Sequence, residues 1–210
     1  DRGDFAVKAP YVAELARIRA AVLKTRRGPP AGVDQLVNES AAFALGLLRR
    51  TDAGRQFDAK ELYNVRETLF DAFDSPGLQV RTRCFAMLSL GLLGDQPDFA
   101  ALPDALDGLG TMPPAGSTSQ RIFVRVLAKH DNPEYVIASI FALSMQRPDA
   151  ITAPMLLTLE QAALRARLGN ANLSDLEASY AALALGRIGT RAQIAPLLLA
   201  LKTKATGLAV

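Results

Sequence analysis

Apolar residues recur at helical spacing along almost the whole chain. In one such segment Leu62, Val65, Leu69 and Phe73 fall on one helix face. Proline and glycine interrupt the pattern, as at Ser75-Pro76-Gly77, because proline lacks an amide donor and clashes with the preceding turn. No segment alternates in the manner of a strand. The pattern predicts an all-α protein, with a loop over 108–119 and helices over 11–26, 37–50, 59–73, 79–93, 99–106, 120–129, 133–145, 151–168, 173–188 and 193–202.

One of these helices carries a capping signature at its start. Ser174 is followed three residues later by Glu177. In a capping box the serine hydroxyl accepts a hydrogen bond from the third residue's amide, and the glutamate reaches back to the serine amide. We therefore expect Ser174 to cap the helix that follows it.

A four-residue phrase recurs in four of the predicted helices. Its final positions lie 45, 53 and 42 residues apart, and the Pro/Gly-rich loop around Met112 accounts for the longest interval. The small residues allow a neighbouring helix to approach closely, while the leucine fills the space between layers. The copies of this repeated phrase are Phe43-Ala44-Leu45-Gly46, Leu88-Ser89-Leu90-Gly91, Phe141-Ala142-Leu143-Ser144 and Leu183-Ala184-Leu185-Gly186. A period near 40 to 47 residues built from two helices is typical of HEAT or armadillo repeats.

Two stretches that contain the phrase, 80–95 and 179–189, resemble the first helix of a bacterial HEAT repeat. The shared feature is an Ala-rich helix that ends in Leu-Gly-x-x-Gly, followed by a second helix such as 194–201. The resemblance covers most of the chain beyond residue 35, and Ser144 departs from it by replacing the glycine. It implies an α-solenoid of about four to five HEAT-like helix pairs, whose second helices line a concave side where partners often dock. The expected organisation is one domain over 1–210, with an N-terminal helix in 11–35 and repeats over 36–77, 78–130, 131–172 and 173–210.

Composition agrees with this fold class. Half of the residues are hydrophobic, chiefly Ala and Leu, and Trp is absent. The net charge is +3, and arginine outnumbers lysine 18 to 6, which we interpret as the codon bias of a GC-rich, bacterial genome. No stretch approaches the roughly 18 apolar residues that span a bilayer. The chain begins at Asp1 and not at Met, so we expect a processed product or an excised piece, with the cytoplasm as the default compartment and export still open.

Residues that could support catalysis are few. His130 lies at the end of a predicted helix, where a protonatable group suits the helix dipole. Cys84, the only cysteine, is expected to be a packed thiol, although nearby arginines could activate it. Asp95 and Asp98 flank Pro97 in a turn, and turn formation explains them better than a carboxylate metal site. We therefore predict no catalytic, cofactor-binding or metal-binding residues, and no enzyme activity.

The function that best fits this sequence is a non-enzymatic scaffold that binds a protein partner. The predicted partner-binding residues combine an exposed aromatic and arginine strip on the third helix with two later arginines: Tyr63, Arg66, Glu67, Phe70, Arg187 and Arg191. The alternative interpretation is that Tyr63 and Phe70 pack against adjacent helices. The very apolar Leu197–Leu201 segment also predicts either that a tail buries the last helix, or that the array continues or self-associates at its C-terminal end.

Two alternatives remain open at this point. Basic pairs such as Arg81 with Arg83 could contact phosphates in a nucleic-acid-binding module, although cations near helix ends also suit the helix dipole. The repeats also resemble those of phycobilin lyases in their sequence pattern, and this resemblance implies an enzyme or enzyme subunit of that type. The lack of Trp disfavours the HEAT-like base-excision enzymes.

Overall fold

The computed structural model describes residues 33–48, 59–94, 117–128, 132–164 and 173–207. These residues form eight α-helices and one short 3₁₀ turn, with no strand among them. The all-α prediction is confirmed for this part of the chain. The helices are α1 (Val33–Leu47), α2 (Ala59–Asp74), α3 (Val80–Leu93), α4 (Thr118–Ala128), α5 (Pro133–Ser144), α6 (Ala153–Ala163), α7 (Asp175–Ile188) and α8 (Arg191–Gly207).

The ends of several helices differ from the predicted ones. Helix α1 begins at Val33, earlier than predicted, and α4 begins at Thr118, inside the predicted loop. The helix predicted over 151–168 is shorter, because a 3₁₀ turn over Pro148–Ala150 and extended backbone at Ile151 precede α6. The helices predicted over 11–26 and 99–106 lie outside the described residues.

Two compact units divide the chain between Thr118 and Ser119. In the first unit α3 packs against both α1 and α2. Fully buried large side chains form its core: Leu45, Leu48, Leu69, Phe70, Phe73, Met87, Leu90 and Leu93. Helix α3 ends where Gly94 adopts a φ of 73° and its amide donates to the Leu90 carbonyl oxygen at 3.0 Å.

The second unit has the same order of contacts. Helix α7 packs against α5 and α6, and α8 packs against α6 and α7. Asn132 caps α5, since its Oδ1 accepts a hydrogen bond from the Glu134 amide at 2.8 Å, and Pro133 occupies the first turn, where its missing amide is not needed. In both units, therefore, a helix contacts the helix two places earlier as well as its immediate neighbour. The expectation of one domain over 1–210 stays a prediction.

The repeated phrase lies at a buried helix contact in each of its four helices, α1, α3, α5 and α7. Its leucine is 0% exposed in every copy: Leu45, Leu90, Leu143 and Leu185. The residue before this leucine is also buried in three copies, as Ser89, Ala142 and Ala184. The phrase therefore marks the contact between alternate helices, α1 with α3 and α5 with α7.

The contact between α1 and α3 requires a glycine at its closest point. A Cβ added to Gly46 would lie 2.6 Å from the Cα of Ser89 and 2.9 Å from its carbonyl oxygen. These are backbone atoms, which cannot yield by a change of rotamer, so the two helices would have to separate. The corresponding glycine of α7, Gly186, is exposed, and nothing lies within 4 Å of its added Cβ.

Two alanine substitutions at this one position of the phrase should have opposite effects. Gly46→Ala should lower the free energy of unfolding by about 1–3 kcal/mol, because it forces α1 away from α3. Gly186→Ala should raise it by about 0.5–1 kcal/mol, because alanine is the better helix former and meets no neighbour. Urea titrations followed by far-UV circular dichroism at low protein concentration measure both changes. Equal effects of the two substitutions would contradict the close approach at Gly46.

Candidate functional site

The strip predicted on the third helix lies on α2, and its expected exposure is wrong for three of its four residues. Tyr63 is 3% exposed, Arg66 2% and Phe70 1%, while the Glu67 side chain is 19% exposed. Val65, Leu69 and Phe73, on the predicted core face, are buried as well, so α2 is covered around most of its circumference. A stripe of apolar residues indicates one buried face and carries no information about a second.

Arg66 is accommodated in this buried position by its neighbours on the same helix. Its Nε lies 3.0 Å from Oε1 of Glu67, and its guanidinium carbon lies 4.7 Å from the centre of the Tyr63 ring. An ion pair and a cation–π contact reduce the cost of burying the charge. The aromatic and arginine residues that resemble an interface anchor in the sequence are thus a packed cluster within the first unit.

Truncation of Phe70 tests this structural role. Phe70→Ala should lower the free energy of unfolding by about 3–5 kcal/mol, because it leaves a cavity in the core. Lys60→Ala, an exposed position on the same helix, should change it by less than about 0.5 kcal/mol. Chemical denaturation gives both values. A Phe70→Ala protein as stable as the Lys60→Ala control would contradict the burial of Phe70 and restore the surface interpretation.

Arg187 and Arg191, the other predicted site residues, are both exposed. Arg187 lies in the last turn of α7, and Arg191 is the first residue of α8, beyond the short connection at Gly189 and Thr190. The structure thus places two of the six predicted residues on the surface of the second unit.

Arg187 borders an open, largely apolar groove of about 740 Å³ along α5 and α7. The rings of Phe141 and Tyr180 meet across these two helices, with centroids 5.0 Å apart, and line the groove. Leu183 also lines it and is 64% exposed. A groove lined by aromatic and aliphatic side chains with a cation beside it suits an apolar protein segment better than a polar small molecule.

The outward face of α7 extends this apolar surface. Leu176, Ser179, Leu183 and Gly186 follow one another at intervals of three, four and three residues, so they share one helix face. We call these four residues the α7 stripe. All four are exposed, and Leu176 is 59% exposed. Two large exposed leucines on one face mark an interaction surface more strongly than scattered ones.

The equivalent surface of α1 is partly covered. The Phe43 ring packs edge-on against the Phe85 ring of α3 at 6.2 Å, and Gly46 faces Ser89. Phe43 and Gly46 hold the places in their copy of the phrase that Leu183 and Gly186 hold in α7. Among the described residues, the α7 stripe is therefore a copy of this contact surface over which no further helix packs. The sequence contains these two residues as the first and last positions of the final copy of the phrase. It does not show which copies of the phrase are covered by another helix.

The start of α7 is fixed by the predicted capping box, which is confirmed. The Glu177 amide donates to Ser174 Oγ at 3.3 Å, and the Ser174 amide donates to Glu177 Oε2 at 2.8 Å. The Ser174 hydroxyl also donates to the same carboxylate oxygen at 2.7 Å. These bonds satisfy amides at the helix start and fix the residue at which α7 begins.

Two arginines of α3, Arg81 and Arg83, contact neighbouring helices. Arg81 lies 3.1 Å from the buried carboxylate of Glu39 and so links α3 to α1. Arg83 Nε donates to the Phe73 carbonyl oxygen at 2.6 Å and links α3 to α2. The one basic pair whose two side chains the structure describes, Arg81 with Arg83, thus contacts the neighbouring helices, while the Arg81 side chain is 65% exposed.

The described parts of the chain contain no candidate metal centre. Within them, no group of three or more His, Cys, Asp or Glu residues is arranged to hold a metal ion. Cys84 is half-buried. His130, Asp95 and Asp98 lie outside the described residues. Among the helices described, none is both long enough and apolar enough to cross a bilayer.

Comparison with known proteins gives no match, since no protein-family model, curated protein or solved structure is significantly similar to this chain. The resemblance to HEAT repeats therefore stays a prediction. It rests on the repeated phrase and its spacing.

Proposed function

We propose that this chain is a HEAT-like helical-repeat scaffold, without enzyme activity, that binds a protein partner through the α7 stripe and the adjoining groove. The observation that carries the proposal is the exposure of the final copy of the repeated phrase. Leu183 is 64% exposed, and a Cβ on Gly186 meets nothing within 4 Å. The same positions of α1 receive another helix of the chain.

The order of helix contacts supports the repeat interpretation. Contacts between alternate helices, combined with contacts between neighbours, are what a stack of helix pairs requires, because one pair cannot bury its own apolar faces. The recurrent buried leucine of the phrase agrees with such a stack.

The chemistry of the surface favours protein over phosphate as the ligand. Leu176 and Leu183 would be desolvated by an apolar side chain, and full burial of a leucine contributes about 1.5–3 kcal/mol. Arg187, which lines the groove, would then orient the partner by pairing with an acidic group on it.

A comparative pull-down tests the proposal. The bait is the full chain, as wild type, Leu183→Asp or Leu157→Asp, in lysate of the source organism, with and without nuclease and at low and high salt. Leu157 is 53% exposed on α6 and provides a matched control for an exposed leucine. We expect a discrete protein that the wild type and the Leu157→Asp variant retain and that Leu183→Asp retains at least about tenfold less well.

Two results would contradict this expectation. Recovery of nucleic acid alone, or of proteins that nuclease treatment removes, would contradict the proposal and favour the phosphate-binding alternative. Equal retention by all three baits would show that the α7 stripe is not the binding surface.

A further inference from the structure

We propose, on the basis of the protein-binding function above, that the partner of the α7 stripe is a second copy of this chain. The two α7 helices would lie antiparallel about a two-fold axis that crosses the stripe at the level of Ala181, whose own side chain is buried on the opposite face of the helix. An interface of this kind is isologous, so one surface must be complementary to itself. Three properties of α7 meet that requirement.

The first property is the order of large and small residues. An antiparallel pair centred at Ala181 places Leu176 opposite Gly186 of the second copy, and Leu183 opposite Ser179. Each exposed leucine then meets a small residue, so the helices can approach closely and each leucine fills the space beside a glycine or serine. A parallel pair would place Leu176 against Leu176 and Gly186 against Gly186, which leaves a clash at one end and a void at the other.

The second property is the precedent within the chain. Gly46 of α1 already receives the backbone of another helix at Ser89, with an aromatic contact one turn away. Gly186 is the corresponding residue of α7, and it is open. The same phrase that joins helices inside the first unit would thus join helices between two copies.

The third property is the distribution of charge along α7. The helix begins with the exposed carboxylate of Asp175 and ends with the exposed guanidinium of Arg187. In the antiparallel arrangement these two residues lie at the same level along the paired helix axes, at both ends of the interface. Opposite charges and opposed helix dipoles favour this direction over the parallel one.

Sedimentation equilibrium of the full chain tests the proposal, over concentrations from about 1 to 200 µM. The variants are Leu183→Asp, which places a charge at the centre of the interface, and Gly186→Leu, which fills the position that Leu176 of the second copy would occupy. Gly186→Leu should leave the monomer folded, because its added atoms start in open space, and circular dichroism checks this. Leu157→Asp again serves as the control.

We expect a monomer–dimer equilibrium for the wild type and the Leu157→Asp variant, and a dissociation constant raised at least about tenfold in Leu183→Asp and Gly186→Leu. A wild-type chain that is monomeric throughout, or a dimer that neither α7 variant weakens, would overturn the inference. A monomeric chain that still retains another protein in a Leu183-dependent manner would leave the scaffold function intact and refute only the second copy as its partner.

Discussion

The close contact between alternate helices is the constraint on which the arrangement of the first unit depends. In the first unit this contact is so short that Gly46 of α1 lies against the backbone of Ser89 in α3, and a single Cβ would separate them. The leucine of the repeated phrase fills the space beside this contact and is fully buried in all four copies. Small residues therefore set the distance between helices, and leucines fill the volume that this distance leaves.

Polar groups hold the same helices together without opening the core. The Glu39 carboxylate is buried in α1 and is matched by Arg81 of α3, while Arg83 of α3 reaches a carbonyl oxygen of α2. Arg66 lies within α2 beside a carboxylate and an aromatic ring. These three arginines make contacts within and between helices, and the Arg81 side chain remains 65% exposed.

The helices, the capping box and the contact role of the repeated phrase could be predicted from the sequence, because each depends on local spacing. The exposure of the α2 strip could not. Tyr63 and Phe70 lie away from the Val65 and Leu69 face, and only the tertiary structure shows that this second side is also covered. The exposure of α7 could not be predicted either. The sequence repeats the phrase at Leu183, but only the structure shows that this copy is exposed to solvent.

The exposed copy of the phrase links the fold to the proposed function. The equivalent surface of α1 packs against α3 inside the first unit, whereas the α7 stripe is exposed and can contact another molecule. The charges at the two ends of the helix and the alternation of large and small residues then give this contact a direction.

A disulfide test of the helix register measures this contact most directly. In a Cys84→Ser background, which removes the only native cysteine, the Leu176→Cys and Gly186→Cys variants are mixed under mild oxidation. The antiparallel arrangement predicts a disulfide-linked dimer that forms readily in the mixture and much less in either variant alone, because a disulfide requires Cβ atoms about 3.5–4.5 Å apart. Linkage of Leu176→Cys alone as efficient as that of the mixture, or no linkage in any sample, would contradict it.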